Sequence, residues 1–220
     1  VPVVGGSDKM AASQLLGGIC TYTQLGNHEF TYENWMTATR AGNTFVTVGP
    51  LAELIVEGLS PGQQLDLPKG GGTINVTWRV ESAGMPIERV EVVVGGLTAE
   101  ETIVSGKLSA GGSTEIAITD STWIALRVRG SHRDLPEDIA AHTSAVQIQV
   151  EGRVPFSKTD AMVVLEQIEG AIAFIDTLAP RPEALQYKKL RATVEAAHNR
   201  MHQRMHQHGV YHEHNPVHDH

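Results

Sequence analysis

Two groups of residues in this 220-residue chain carry side chains that bind metal ions or protons. The first is Asp8, which follows Val1–Val4 and a Gly-Gly-Ser turn; the four residues predict a short buried strand. A carboxylate at the carboxyl end of a strand is a typical way for an α/β enzyme to hold a metal or a base. Gly-Gly-Ser-Asp is also a common turn composition, so a turn or helix-capping aspartate is an equally open interpretation.

The second group is a set of histidines near the carboxyl end. His198, His202 and His206 are four residues apart, so on a helix they would form one stripe, and neighbouring pairs could chelate Zn²⁺, Ni²⁺ or Cu²⁺. The favoured interpretation is a solvated, fraying extension over 198–220, because Gly209 and Pro216 argue against a continued helix. This His-rich tail also contains His208, His212, His214, His218 and His220.

Other residues of chemical interest are isolated. Cys20 lies among predicted strand residues with no adjacent base, so a core position is favoured over a nucleophile. His28 and His142 have no nearby partner, and His142 is expected to make a local hydrogen bond. The sequence contains neither a Gly-x-Ser-x-Gly elbow nor a glycine fingerprint for nucleotide phosphates.

Composition limits the classes of function. Hydrophobic residues make up 41% and charged residues 19%, a balance typical of globular proteins. The formal charge of −8 argues against nucleic acid as a partner. No apolar run approaches the roughly 20 residues that span a bilayer. The single cysteine excludes an internal disulfide and leaves the compartment unknown.

The elements that must position these residues fall into zones. Residues 1–50 have a βα rhythm: strands are predicted over Ile19–Thr23 and Thr44–Val48, with a helix over Tyr32–Ala41 between them. Thr31 can cap that helix and Gly42 fits its end. This zone predicts an α/β structure.

Residues 51–152 predict an antiparallel β-sandwich of the immunoglobulin-like kind, because short alternating strands are separated by Gly- and Pro-rich turns. The predicted strands are Leu54–Val56, Thr73–Val80, Ile87–Val94, Thr114–Ile118, Trp123–Arg129 and Ala145–Val150. The three tryptophans are expected to anchor the core.

Residues 153–197 predict a helical hairpin. An apolar stripe at three- and four-residue steps runs over 157–179, with Ser157 as the N-cap. A second helix is predicted from about Glu183, after Pro180 and Pro182 break the first.

Several segments together resemble the CehA/McbA-like metallohydrolases of the PHP superfamily. The segments are Val3–Met10, Arg40–Pro50, Pro86–Val93 and Ala141–Ser144, and the resemblance covers roughly residues 1–180. Arg40–Pro50 is its most specific part.

The resemblance implies a distorted β/α barrel that holds divalent metal ions (zinc, manganese or iron), which activate water for attack on a carbamate, amide or phosphoester bond. Asp8 matches the late aspartate of that ligand set. Family members often carry a histidine two residues after this aspartate, where Met10 stands here, and no His-x-His lies near the N-terminus. The resemblance therefore implies the end of an α/β barrel-like domain in 1–50, a metal site completed by an upstream portion or a separate chain, and hence the C-terminal part of such an enzyme.

Two hypotheses remain open from the sequence. In one, the chain is a largely structural, accessory part of a PHP-type hydrolase and donates Asp8. In the other, it is a non-catalytic β-sandwich module for packing or binding, with a metal-binding His-rich tail. In either case self-association is expected, through the hairpin stripe or through an unpaired edge strand such as Ala145–Val150 or Val1–Val4.

Overall fold

The computed structural model describes residues 2–13, 16–132, 135–180 and 183–211. The chain divides into two compact units, Val1–Pro155 and Phe156–His220. The first unit contains the strands and one helix, and the second contains two helices. In chain order the elements are β1 (Cys20–Thr23), α1 (Tyr32–Ala41), β2 (Thr44–Thr47), β3 (Leu51–Val56), β4 (Gln64–Leu67), β5 (Gly72–Glu81), β6 (Ile87–Val94), β7 (Leu97–Lys107), β8 (Ser109–Ile118), β9 (Thr122–His132), β10 (Leu135–Thr143), β11 (Val146–Val150), α2 (Lys158–Thr177) and α3 (Ala184–Gln207).

The larger sheet is organised around β9. Along one side β9 pairs with β6, which in turn pairs with β7. Along the other side it pairs with β10 and, nearer its start, with β11. β10 leads on to β2 and β1, while β11 pairs in parallel with β4. The smaller sheet has the order β3-β5-β8, and its pairings are antiparallel.

The two sheets bury one apolar core between them, so this unit is a β-sandwich, as the sequence predicts. Alternate residues of β3 and β5 contribute Leu54, Val76 and Val80, and the larger sheet contributes Leu126 and Ile148. This alternation follows from the two-residue period of a strand, which puts every second side chain on the same face. Of the predicted tryptophan anchors, Trp78 lies in this core, whereas Trp35 and Trp123 are only partly buried.

The N-terminal zone differs from the prediction of a separate α/β part ending at residue 50. β1 and β2 are antiparallel to each other, and β2 pairs with β10 through Thr47–Ala141 and Phe45–Thr143. β1 and β2 therefore extend the larger sheet of the sandwich. The predicted helix Tyr32–Ala41 is confirmed with its cap: the N–H of Asn34 donates to the Thr31 side chain, and Gly42 ends the helix at a φ of 88°.

The predicted buried strand over Val1–Val4 is wrong for the described residues. Residues 2–4 form no strand, and Val4 is 61% exposed. Pro2 has no N–H to give to a ladder, and side chains hold the segment instead. The N–H of Val3 donates to Oγ of Ser144 at 2.8 Å, and Oγ1 of Thr44 donates to the Val3 carbonyl at 2.8 Å. Val1 lies outside the described residues.

The expectation that Ala145–Val150 is an unpaired edge strand is also wrong. β11 lies between two partners, because Val146–Ile148 pairs with β9 and Gln147–Val150 pairs with β4. The parallel partner β4 is only four residues long and has a mixed polar sequence, so its pairing with β11 could not be read from the chain.

The second unit is the predicted helical hairpin, and Ser157 caps its first helix through the N–H of Asp160. Its small core consists of Ala161, Leu165, Met205 and Val210. The predicted end of the hairpin at residue 197 is wrong, since α3 continues to Gln207. Nothing in 198–207 breaks a helix, and Met205 is fully buried. No helix in the described ranges is both long and apolar enough to cross a membrane.

Candidate functional site

Asp8 lies at the end of a segment that side chains fix to the sheet. The Thr21 hydroxyl accepts from the N–H of Gly5 at 2.8 Å and donates to its carbonyl at 2.7 Å. Oγ of Ser7 accepts from the N–H of Gly17 at 2.8 Å. Asp8 itself is exposed and has a φ of 41°, in the left-handed region that aspartate tolerates in turns. The structure thus places this carboxylate in a fixed turn that faces solvent.

The described residues do not assemble a metal site around Asp8. In 2–13, 16–132, 135–180 and 183–211 no three His, Cys, Asp or Glu side chains are placed to hold a metal ion. A carboxylate is a suitable ligand for zinc, manganese or iron.

Three segments that are far apart in the chain meet at Val3, five residues before Asp8. Val3 contacts Thr44 and Ser144 through the hydrogen bonds described above. Thr44 and Ser144 are themselves joined by a hydrogen bond of 2.7 Å between their hydroxyl oxygens. Residues from 3–10, 40–50 and 141–144, far apart in the chain, therefore form one connected cluster. We call Val3, Thr44 and Ser144 the N-terminal clip.

The predicted histidine stripe lies on α3 rather than in a frayed tail. The imidazole rings of His198 and His202 are nearly parallel, with centroids 6.2 Å apart and planes at 9°. The rings of His202 and His206 are 4.1 Å apart and tilted by 54°. Nε2 of His198 also lies 3.4 Å from Oε1 of Glu169 on α2. We call His198, His202 and His206 the histidine ladder.

The remaining tail histidines have other positions or lie beyond the described chain. His208 stacks on Phe156 with ring centroids 4.1 Å apart, and its N–H contributes to the end of α3. The helix ends before Gly209, as the sequence predicts, and Gly209 has a φ of 69°. The other four tail histidines lie outside the described residues: His212, His214, His218 and His220.

The isolated residues have local roles. Nδ1 of His142 and the carbonyl of Thr143 are 2.8 Å apart, so the predicted local hydrogen bond is confirmed. Cys20 is only partly buried at the start of β1, where its thiol donates to the carbonyl of Gly17 at 3.0 Å. The core position expected for Cys20 is therefore wrong, because β1 exposes part of both its faces.

A groove that the sequence does not reveal lies at one end of the sandwich, between β1–β2 and β3–β5. It encloses about 370 Å³. Tyr22 and Phe45, directly opposite each other across β1 and β2, stack with ring centroids 5.1 Å apart and planes at 4°. Glu53, Arg79 and Glu81 lie along the other wall, and Arg79 pairs with Glu81. We call this the Tyr22–Phe45 groove. Its walls come from five strands, β1, β2 and β10 of the larger sheet and β3 and β5 of the smaller, so the groove depends on the pairing within each sheet and on the packing of the two sheets.

A second feature missed from the sequence is a buried carboxylate among arginines. Glu91 on β6 is 4% exposed, and its oxygens lie 3.7 Å from Nε of Arg89 and 3.2 Å from Nε of Arg129. Nε of Arg127 donates to the same carboxylate at 2.5 Å. Burial alone would raise the pKa of Glu91, but hydrogen bonds and charge attraction from Arg127 and Arg129 outweigh it and lower the pKa below its ordinary value. Alternation along β6 and β9 puts this group on the sheet face opposite the core.

Comparison with known proteins gives limited likenesses. No family model matches the chain, and no curated protein matches it. A solution structure of the CARDB domain of a Pyrococcus furiosus protein has 11% identity and a TM-score of 0.31, over 48% of this chain and 98% of that one. A crystal structure of the same domain in complex with di-metal ions has 13% identity and a TM-score of 0.31, over 59% and 97%. A beta-glucosidase from Listeria innocua in complex with glucose has 16% identity and a TM-score of 0.24, over 48% and 17%. Scores at this level support no conclusion about function.

Proposed function

We propose that this chain is the accessory C-terminal portion of a PHP-type metal-dependent hydrolase, acting on a carbamate, amide or phosphoester bond, and that Asp8 supplies one metal ligand. The observation that supports this most is the N-terminal clip. It joins three of the segments that carry the family resemblance, although they are separated by about 40 and 100 residues in the chain.

The clip, together with Thr21, holds the backbone of the segment that leads to Asp8. Val3 is hydrogen-bonded through both its N–H and its carbonyl, and Gly5 is bonded in the same way by Thr21. A ligand whose backbone is fixed before the metal arrives loses less conformational entropy on binding. A bound divalent ion would supply an activated water for hydrolysis. The sandwich's part is to hold Asp8 at the edge of that centre.

The proposal is tested on the longest native polypeptide by metal analysis and by hydrolysis of carbamate, amide and phosphoester substrates. Asp8→Ala is expected to lower bound metal and to reduce kcat by at least tenfold. Asp120→Ala, which removes an exposed carboxylate from the turn between β8 and β9, is the matched control and should change neither. Full activity and metal content in the Asp8→Ala protein would contradict the proposal.

A second variant separates position from ligand chemistry. Thr21→Val removes both hydrogen bonds to Gly5 but keeps the Asp8 side chain in the sequence. We expect the Thr21→Val protein to bind metal more weakly than the unaltered protein. Adding Asp8→Ala to it should weaken binding further. If Thr21→Val binds metal as tightly as the unaltered protein, the hydrogen bonds between Thr21 and Gly5 do not position the Asp8 carboxylate.

The Tyr22–Phe45 groove favours a second candidate function, a packing module that binds a second copy of the chain. Tyr22 and Leu51 are 48% and 47% exposed in its walls, so a partner would bury apolar surface there. Glu53 and Arg79 bring both signs of charge to the other wall. A patch that carries both signs can be complementary to itself across a two-fold axis.

Light scattering over a range of concentrations tests this packing role. We expect a dimer that Tyr22→Ser weakens at least tenfold and that Leu97→Ser, at an exposed apolar position on β7, leaves unchanged. Glu53→Arg should weaken the dimer, and Glu53→Arg with Arg79→Glu should restore it. If the protein is a monomer at every concentration measured, the proposed packing role is wrong.

A further inference from the structure

The histidine ladder combines a rigid scaffold with nitrogen ligands. α3 is a continuous helix through all three residues, so their four-residue spacing keeps the imidazoles on one face. Metal ions of the zinc, nickel and copper group bind neutral imidazole nitrogen at about 2.0–2.1 Å. The rings of His198 and His202 are nearly parallel with centroids 6.2 Å apart, and imidazole binds a metal through a nitrogen lone pair in the ring plane, so these side chains must rotate for both nitrogens to reach one ion. The rings of His202 and His206, at 4.1 Å, are already in contact.

The second helix of the hairpin adds an oxygen donor at the same position. Oε1 of Glu169 on α2 is 3.4 Å from Nε2 of His198. Both side chains are partly exposed, at 34% and 24%, so both can turn towards an ion without opening the apolar core. The core residue Leu165 lies one turn before Glu169 on α2, and Met205 lies three residues after His202 on α3, so the three side chains are next to the apolar core of this unit.

We propose that His198 and His202 bind a divalent transition metal ion as a two-nitrogen chelate, and that Glu169 adds an oxygen ligand, so that the ion ties α2 to α3. The described side chains hold no ready-made set of three ligands, and the site forms by rotation of side chains when the ion binds, with water in the remaining positions. The order of affinity should follow the general one for nitrogen ligands, with Cu²⁺ above Ni²⁺ and Zn²⁺. This site is independent of Asp8 and of hydrolysis.

The test must separate the ladder from the histidines at 212–220, whose imidazoles are also metal ligands. The starting protein is therefore the full chain with His212, His214, His218 and His220 all changed to Gln. Titration calorimetry with ZnCl₂, NiCl₂ and CuCl₂, each as the metal alone, is expected to give one site per chain. His198→Gln or His202→Gln should weaken it at least tenfold, and Glu169→Gln severalfold. His28→Gln, in an exposed loop, is the control and should have no effect.

Two further measurements make the outcome decisive. Circular dichroism checks that each variant keeps its helices, and Gln is a good helix former. Electron paramagnetic resonance of the Cu²⁺-loaded chain should show two nitrogen ligands, falling to one in His202→Gln. The loss of all binding in the starting protein would overturn the proposal, as would unchanged affinity in both the His198→Gln and the His202→Gln proteins.

Discussion

Thr44 and Ser144, one hundred residues apart in the chain, are joined by a hydrogen bond of 2.7 Å between their side-chain oxygens. The Thr44 hydroxyl proton goes to the carbonyl of Val3, so Ser144 must be the donor in this pair. Ser144 in turn accepts from the N–H of Val3. Both residues are nearly inaccessible to solvent, at 3% and 2% exposure. Two buried hydroxyls are thus satisfied by each other and by the backbone of the N-terminal segment.

Ser144→Ala should release that segment. The change leaves the N–H of Val3 without its acceptor and Thr44 without a donor, and an unsatisfied buried group costs about 1–3 kcal/mol. We expect faster amide exchange at Val3 and Gly5 and easier proteolysis before residue 13. Ser113→Ala, at an exposed position on β8, is the control. Equal exchange rates in the two variants would show that the clip does not hold the segment.

Glu91→Gln should destabilise the sandwich in a pH-dependent way. Removing the negative charge leaves three arginines around a buried neutral group, at a cost of about 3 kcal/mol near neutral pH. Because the folded-state pKa of Glu91 lies below its ordinary value of 4.5, its stabilisation is complete above pH 4.5 and is lost as the pH falls through the folded-state pKa. Urea unfolding at several pH values should therefore show the difference between the two proteins shrinking below pH 4.5.

The more exposed Glu101, which pairs with Arg89 at 3.1 Å, gives the control for that experiment. Its side chain is 40% exposed, so Glu101→Gln should cost less than about 1 kcal/mol. An equal loss for the two variants, or a Glu91→Gln difference that grows in acid, would contradict the role given to Glu91.

Gly70, Gly71 and Gly72, at the start of β5, differ in two constraints: a positive φ and the space available for a Cβ atom. Gly71 has a φ of 78°, and a Cβ there would lie 1.7 Å from the carbonyl oxygen of Ile118. Gly71→Ala should therefore cost about 3–5 kcal/mol, from strain and overlap together. Gly70 has a φ of 88° with open space around it, so Gly70→Ala should cost only about 1–2 kcal/mol.

Gly72→Ala meets neither constraint and should be close to neutral. Chemical denaturation of the three variants measures the series. If Gly71→Ala is no more destabilised than Gly70→Ala, the close approach between the β5 entry and the end of β8 is not maintained in solution.

Leu165→Ala should destabilise the hairpin. Leu165 is 2% exposed in a core of few residues, and truncation of a buried leucine costs about 2–5 kcal/mol. Val163→Ala, on the same helix at 48% exposure, should have little effect. Hydrogen exchange of the α2 and α3 amides distinguishes the two, and similar protection in both variants would contradict the assigned core.

Local signals in the sequence predict the helices and the central strands well. Thr31 and Gly42 cap the two ends of α1, and Ser157 caps the start of α2. These ends can be predicted because a cap depends only on residues within one turn of the helix end. The strands with strong alternation, such as Thr73–Val80, are found within β5. These alternating strands are sufficient to predict that the fold is a β-sandwich.

The strands that were missed lack that alternation. β7 is exposed along most of its length, as expected of an edge strand. Because both of its faces contact solvent, it has polar residues on both and lacks the alternation that marks a half-buried strand. β10 contains Pro136 and shows two register shifts against β9. Both are strands because long neighbours pair with them. The groove and the Glu91 cluster depend on the same non-local pairing, so neither could be predicted.

The pairing of β2 with β10 also sets an order of events on the ribosome. Thr47 leaves the exit tunnel about 90 residues before its partner Ala141, which at ordinary translation rates is a delay of roughly 5–20 s. For that time one side of β2 has no partner strand, and an open strand edge is a surface on which nascent chains misassociate. The N-terminal clip, which needs Ser144, is therefore among the last parts of the sandwich to form, and its yield should respond to the speed of synthesis.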